Sequence, residues 1–166
     1  KNYKLMLKVI TNFKDENLKL IIIGDDPLEG KPLLKDLKKI GSNNVKFLGN
    51  VESVADYLYN SDALILSSTH EGMPISVIEA MSVGLPIICT PAGGLVDMVI
   101  PQKNGFIASD FTSSSLSNEL KNFINSEDSE IELIQRNNLD DFKDKYSLKK
   151  CSNEYLNLYR KLKNEF

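Results

Sequence analysis

The sequence predicts an α/β fold: a doubly wound parallel sheet of Rossmann-like type, with helices on both faces. Two observations predict it. Short apolar runs rich in isoleucine and leucine end at glycines or polar loops, and amphipathic stretches of helical period separate them. Alternation of this kind gives parallel strands joined by right-handed crossovers. A length of 166 residues suits one domain with a full core.

Tyr3, Met6, Leu7, Ile10 and Phe13 recur at helical spacing and predict a first amphipathic helix. Leu18 to Ile23, apolar apart from Lys19, predicts a strand that ends at the turn cluster Gly24-Asp25-Asp26-Pro27. Pro32 opens a helix to Ile40, which Gly41 ends. Asn43 and Asn44 lead into the short strand Val45 to Leu48, stopped by Gly49, and Ser53 caps a brief helix over Val54 to Asn60. Ala63 to Leu66 predicts a buried strand running into Ser67-Ser68-Thr69. Gly72 and Pro74 mark a helix start, with proline in the first turn, and Ile75 to Val83 continues to Gly84. Leu85 to Cys89 is the next strand. Pro91, Gly93 and Gly94 then form a loop that needs either positive φ or close approach.

Asn104-Gly105 predicts a turn, and Phe106 to Ala108 a last short strand. Ser113-Ser114-Ser115 reads as cap material for a helix marked by Leu116, Leu120, Phe123 and Ile124. Ile131, Ile134, Leu139 and Phe142 mark another helix, Tyr146 and Ser147 interrupt, and a final helix starts at Leu148. An exposed apolar patch is expected near Tyr155, Tyr159 and Leu162.

The net charge of −3 argues against general binding of nucleic acid, which favours a basic excess. No run approaches the roughly 18 apolar residues of a membrane span, and no secretory signal is present. Cys89 and Cys151 lack metal-ligand spacing, so reduced thiols and a cytoplasmic setting are expected. The chain begins at Lys1 with neither an initiator methionine nor a strand before its first helix, which reads as a piece of a larger protein.

The chemistry concentrates between Asp62 and Ile100. Glu71 and Glu79 are separated by seven residues, with the start of a helix between them. The amides of Ile75 and Ser76 have no partner inside that helix, and the macrodipole favours an anion there. A phosphate at the helix start, flanked by two carboxylates able to accept from sugar hydroxyls, describes a nucleotide sugar. The alternative for Glu79 is a solvated helix stripe shared with Ser76 and Ser82. The alternative for Glu71 is a carboxylate that only complements the dipole. His70, the single histidine, is read as a solvated loop residue.

The run Glu71-Gly72-Met73-Pro74-Ile75-Ser76-Val77-Ile78-Glu79-Ala80, with its serine-rich approach, the following GLPII and the Gly-Gly loop, resembles the Glu-x7-Glu signature of the retaining family-4 glycosyltransferases. The resemblance is to the C-terminal, donor-binding half of their two-domain GT-B fold. It implies that residues 1–166 form a single nucleotide-sugar-binding domain, with an N-terminal acceptor domain elsewhere and a terminal helix, 148–166, crossing towards it. By the same resemblance Glu71 is the catalytic residue. Lys1, Gly24, Gly49, Val51, Gly72, Met73, Ile75, Ser76 and Glu79 bind the donor. Lys1 matches a phosphate-binding lysine, although the arginine that usually precedes it is outside the chain. Asp26 replaces a usual second glycine, and Asp97 a usual glutamate for which loop capping is expected.

The implied activity is transfer of a glycosyl group, with retention, from a UDP- or GDP-sugar to a glycan or lipid-linked acceptor, in polysaccharide or glycoconjugate synthesis. No metal or cofactor is implied, and membrane association, if any, is expected at the inner face through the other domain. The chain alone is expected to bind donor weakly and transfer nothing. Two other classes share the fold: a nucleotide-sugar epimerase-like enzyme, and a non-catalytic interaction module.

Overall fold

A computed structural model describes residues 1–13, 17–24 and 44–165, with side chains to 163. The helix expected over 32–40, its Gly41 stop and the turn residues Asp25, Asp26 and Pro27 lie outside the described residues.

Helix α1, Tyr3–Thr11, is capped by Asn2, whose side-chain oxygen accepts from the Leu5 amide at 3.3 Å. Strands β1, Leu20–Ile23, and β2, Val45–Gly49, pair in parallel with Leu20 opposite Val45. Helix α2, Val54–Tyr59, starts where expected, with Ser53 accepting from the Asp56 amide at 3.4 Å. Strands β3, Leu64–Leu66, β4, Ile87–Cys89, and β5, Gly105–Ile107, form a parallel sheet in that order.

Between these strands lie α3, Ile75–Ser82, and α4, Leu95–Met98, the latter a single turn within the stretch expected to be loop. Helix α5, Ser113–Ile124, is capped by Thr112 instead of by the serines that follow it. Helix α6, Asp128–Asp141, runs through a π-helical turn, Phe142–Tyr146, and a break at Ser147 into α7, Leu148–Glu165.

The strands are parallel, and β3, β4 and β5 are covered on both faces, the doubly wound arrangement. On one face, Leu5, Met6, Val9 and Ile10 of α1 and Leu116 and Leu120 of α5 share a core with Leu20 and Ile22 of β1 and Ile88 of β4. On the other, Val77, Ala80 and Met81 of α3 and Leu95 and Met98 of α4 pack with Leu66, Ile87 and Cys89. One expectation changes. Among the described residues the parallel strands form two hydrogen-bonded sheets, β1-β2 and β3-β4-β5, and not one. Neighbouring apolar runs predict strands, but only long-range geometry decides which edges meet.

Helix α6 is pinned by buried side-chain amides that donate to backbone carbonyls. Asn138 donates to the carbonyls of Leu85 at 3.0 Å and Asn104 at 2.9 Å, and Asn104 donates to the Met98 carbonyl at 2.9 Å. Beyond this clasp the chain loses its cover. Leu148, Tyr155, Leu156, Leu158, Tyr159 and Leu162 are all exposed along α7, which is the apolar patch expected from the sequence. No described helix is long and apolar enough to cross a membrane.

Candidate functional site

Gly24 at the end of β1, the loops after β2 and β3 and the start of α3 meet at one end of the sheets. Ligands of open α/β sheets collect at this end, outside the carboxyl ends of the strands. A cleft of about 680 Å³ opens there, and its wall includes Lys1, Gly24, Val51, Ser76 and Glu79. The turns holding Gly24 and Gly49 are tied to each other, because the Gly24 amide donates to the Gly49 carbonyl at 2.9 Å.

Helix α3 opens with Pro74 at the cap position, not inside the first turn as expected. Proline offers no side-chain acceptor, so no side chain caps this end, while the Val77 amide is satisfied by the Pro74 carbonyl at 3.0 Å. The amides ahead of Val77 and the positive end of the helix dipole are available to an anion. Ser76, half-buried, and Glu79, exposed, both face the cleft from the first turns. Met73 and Ile75 are exposed, at 61% and 62%, and do not line it. Gly49 and Gly72 are also absent from its wall.

Glu71 does not line the cleft, but its two side-chain partners do. Its Oε1 pairs with the Lys1 ammonium and accepts from Ser68 Oγ at 2.6 Å, and Lys1 and Ser68 both line the cleft. Among the described residues Oε2 accepts neither of these bonds and remains for another donor. Partial burial pushes the carboxyl pKa up. The hydrogen bonds from Lys1 and Ser68 and the Lys1 charge outweigh that effect, so the group titrates below its ordinary value.

The site rests on a backbone stack that the sequence signalled only as a Gly-Gly loop. The Gly94 amide donates to the Glu71 carbonyl at 2.9 Å. A Cβ on Gly94 would stand 1.8 Å from the Gly72 carbonyl oxygen, and one on Gly93 2.1 Å from that of Glu71. The loop after β4 therefore fixes the loop after β3 by contact that no side chain permits. Sequence reasoning missed Ser68 and Thr90 as parts of this support. Ser68 is buried, and its carbonyl accepts from the buried Thr90 hydroxyl at 2.5 Å. Both stand within two residues of a strand end, which was the signal available. Ser67 donates to the Asn2 carbonyl at 2.9 Å, joining the start of α1 to the same loop. His70 is exposed, with its Nδ1 at 3.1 Å from the neighbouring Thr69 hydroxyl, and Asp97 stands exposed in the first turn of α4.

The family model for glycosyl transferases group 1 matches residues 1–140. The chain belongs to the group 1 glycosyltransferases. Among curated group relatives, a Campylobacter jejuni N,N'-diacetylbacillosaminyl-diphospho-undecaprenol alpha-1,3-N-acetylgalactosaminyltransferase is 27% identical over 165 residues, covering 99% of this chain and 43% of that protein. Two solved structures share the fold. Anabaena HepE in complex with UDP-glucose superposes with a TM-score of 0.85 at 21% identity, over 97% of this chain and 45% of that one. The C-terminal domain of the group 1 protein LpcC from Francisella tularensis gives 0.75 at 20% identity, over 89% and 80%. This group 1 chain therefore has the α/β architecture of the C-terminal half of a GT-B fold, and it spans less than half the length of the curated relatives it matches, 44% and 43% in two of them.

Proposed function

We propose that this group 1 domain is the donor-binding half of a retaining hexosyltransferase of family 4. In this reading it presents a UDP- or GDP-sugar to a glycan or lipid-linked acceptor carried by an N-terminal domain. The observation that carries the reading is the cleft at the carboxyl ends of the strands, where the uncapped start of α3 and Glu79 face Lys1, Gly24 and Val51. The UDP-glucose held by HepE, a protein of the same fold, supports it.

In this proposal the diphosphate docks on the Ile75 and Ser76 amides, so the charge developing on the leaving group meets a fixed dipole. The Glu79 carboxylate accepts from the ribose hydroxyls. Gly49 and Val51 offer backbone to the base, and Gly72 and Met73 border the sugar. Glu71 acts on the donor sugar through Oε2, ionised and oriented by Lys1 and Ser68 on Oε1. Lys1, which pairs with Glu71 and lines the cleft, shares its charge between Glu71 and the phosphates. The leaving phosphate serves as base for the acceptor hydroxyl. The setting is cytoplasmic, at or near the inner face of a membrane, and the product is a polysaccharide or glycoconjugate.

Titration calorimetry of the chain with UDP-glucose, GDP-mannose, UDP and GDP tests the reading. Saturable binding is expected for one base over the other, weakened about tenfold by Glu79→Gln, the loss of one hydrogen-bonded charge. Binding unchanged by both Glu79→Gln and Glu71→Gln removes these residues from the site.

A further inference from the structure

We infer that Asn104, a wholly buried residue held by Asp141, is a positioning residue for Glu71 and acts on it through helix α4. The inference rests on the donor reading only for what Glu71 does; the geometry it concerns is that of the chain without ligand.

Helix α4 links the two. At its start the Gly94 amide donates to the Glu71 carbonyl at 2.9 Å, and neither Gly93 nor Gly94 leaves room for a Cβ against the backbone of Glu71 and Gly72. A shift of α4 along its axis therefore moves the backbone that carries the Glu71 carboxylate. Yet α4 is only four residues long. One turn has too few internal hydrogen bonds to keep its own place, so what fixes it lies outside it. Leu95 and Met98 anchor its apolar side in the core. Apolar burial is non-directional, so hydrogen bonds at the two ends define the position of the turn more sharply.

Asn104 supplies those bonds at the far end. The Met98 carbonyl, one of the groups a helix leaves open at its carboxyl end, accepts from Asn104 Nδ2 at 2.9 Å. The Ile100 amide donates to Asn104 Oδ1 at 2.7 Å, and Nδ2 also donates to Asp141 Oδ2 at 3.2 Å. Both donors and the acceptor of this amide are used. A flipped amide would aim its oxygen at a carbonyl and a carboxylate, so the orientation has no alternative. Asp141, 7% exposed, is itself held by Lys103 at 3.0 and 3.1 Å and by Lys145 at 2.7 Å. It gives the Asn104 amide a fixed reference on α6, to which Asn137 also ties the Lys103 carbonyl at 2.6 Å.

The loop between α4 and β5 is held against its own preference. Gln102 has a φ of +63°, a left-handed conformation uncommon for a residue with a side chain. Such strain persists where the surroundings over-determine the backbone. A group needed only to fill the core here would be apolar, because a buried polar side chain is costly unless it finds its partners. Asn104 finds all of its own, and they lie on α4, on the residue that follows α4 by two, and on α6.

Hydrogen exchange of the Gly94 amide and a carboxyl-carbon titration of Glu71, both by NMR without ligand, test this in Asn104→Ala and Asp141→Asn. Leu116→Ala, in the core on the opposite face of the sheet, is the control for general loss of stability. In Asn104→Ala, Gly94 is expected to exchange about tenfold faster relative to Ile88 of β4. The Glu71 midpoint is expected to rise towards the ordinary 4.5 as Lys1 and Ser68 lose their alignment with it. Asp141→Asn keeps the shape of the clasp and should move both readouts the same way by a smaller amount, and it carries the test if Asn104→Ala does not fold. Readouts that move no further than in Leu116→Ala overturn the inference. So does faster Gly94 exchange with an unmoved Glu71 midpoint, which confines the effect to α4. Neither readout involves a donor, and calorimetry of the parent chain with UDP-glucose judges the donor reading separately.

Discussion

The β3-β4-β5 half and the β1-β2 half are built from similar sequence but held very differently. Strand β4 is buried at every position, with Ile87 and Cys89 wholly enclosed between helix layers. Burial pushes the Cys89 thiol up to about 12, as expected for an inert core residue. Strand β1 alternates, with Ile21 at 42% exposure, and β2 has no fully buried residue. The packed half carries the groups whose side-chain geometry matters, Glu71, Ser76 and Glu79. The open half contributes Gly24 and Val51, where backbone position suffices. Chemistry that depends on orientation sits where packing is dense.

Truncation in the two halves tests this contrast most strongly. Met81→Ala empties a fully enclosed position and is expected to cost about 3 to 4 kcal/mol, a melting-point loss on the order of 10 °C. Ile21→Ala, in the open half, is expected to cost less than about 1 kcal/mol. Equal losses in calorimetric melts would mean that the halves are packed alike.

Glycines give a second, smaller contrast. Gly94→Ala drives a Cβ into the Gly72 carbonyl, a backbone atom that cannot rotate away, and is expected to cost about 2 to 3 kcal/mol in urea unfolding. Gly49→Ala meets open space and is strained only by its φ of +69°, so about 1 kcal/mol is expected. Reversal of that order would place the tighter loop in the open half.

Local signals account for what was legible in the sequence. The strands at Leu20–Ile23, Val45–Gly49 and Leu64–Leu66, the Ser53 cap and the start of α3 to within a residue all follow from residues within a few positions of one another. So does the outward face of α3 that carries Glu79, set by the helical period. What escaped was long-range. The break between β1 and β3 depends on which edges meet, and the pairing of Glu71 with Lys1 spans the sequence from its first residue to the loop after β3. The helical turn of α4 hid behind two glycines, because its stability comes from Leu95 and Met98 in the core and not from propensity.

The Glu71 pair gives the smallest effect and the finest test of how the packed half holds its site. Partial burial raises this carboxyl, while hydrogen bonds from Lys1 and Ser68 and the Lys1 charge lower it further, so its pKa lies below the ordinary 4.5. A group depressed in the folded state adds stability above its unfolded pKa and loses that contribution as pH falls through the folded value. The hold on the loop after β3 is thus complete at neutral pH and fails only in acid, below 4.5. Because Lys1 is half exposed, the pair contributes no more than about 1 kcal/mol, and melting temperature is a poor readout. A carboxyl-carbon NMR titration is direct: the Glu71 midpoint should lie below 4.5 in the parent chain and rise in Lys1→Met, while Ser68→Ala should raise it less. A midpoint that ignores Lys1→Met but follows Ser68→Ala would assign the orientation of Glu71 to the buried serine alone. The carboxylate would then be held from the packed half, and Lys1 would be left for an anion in the cleft.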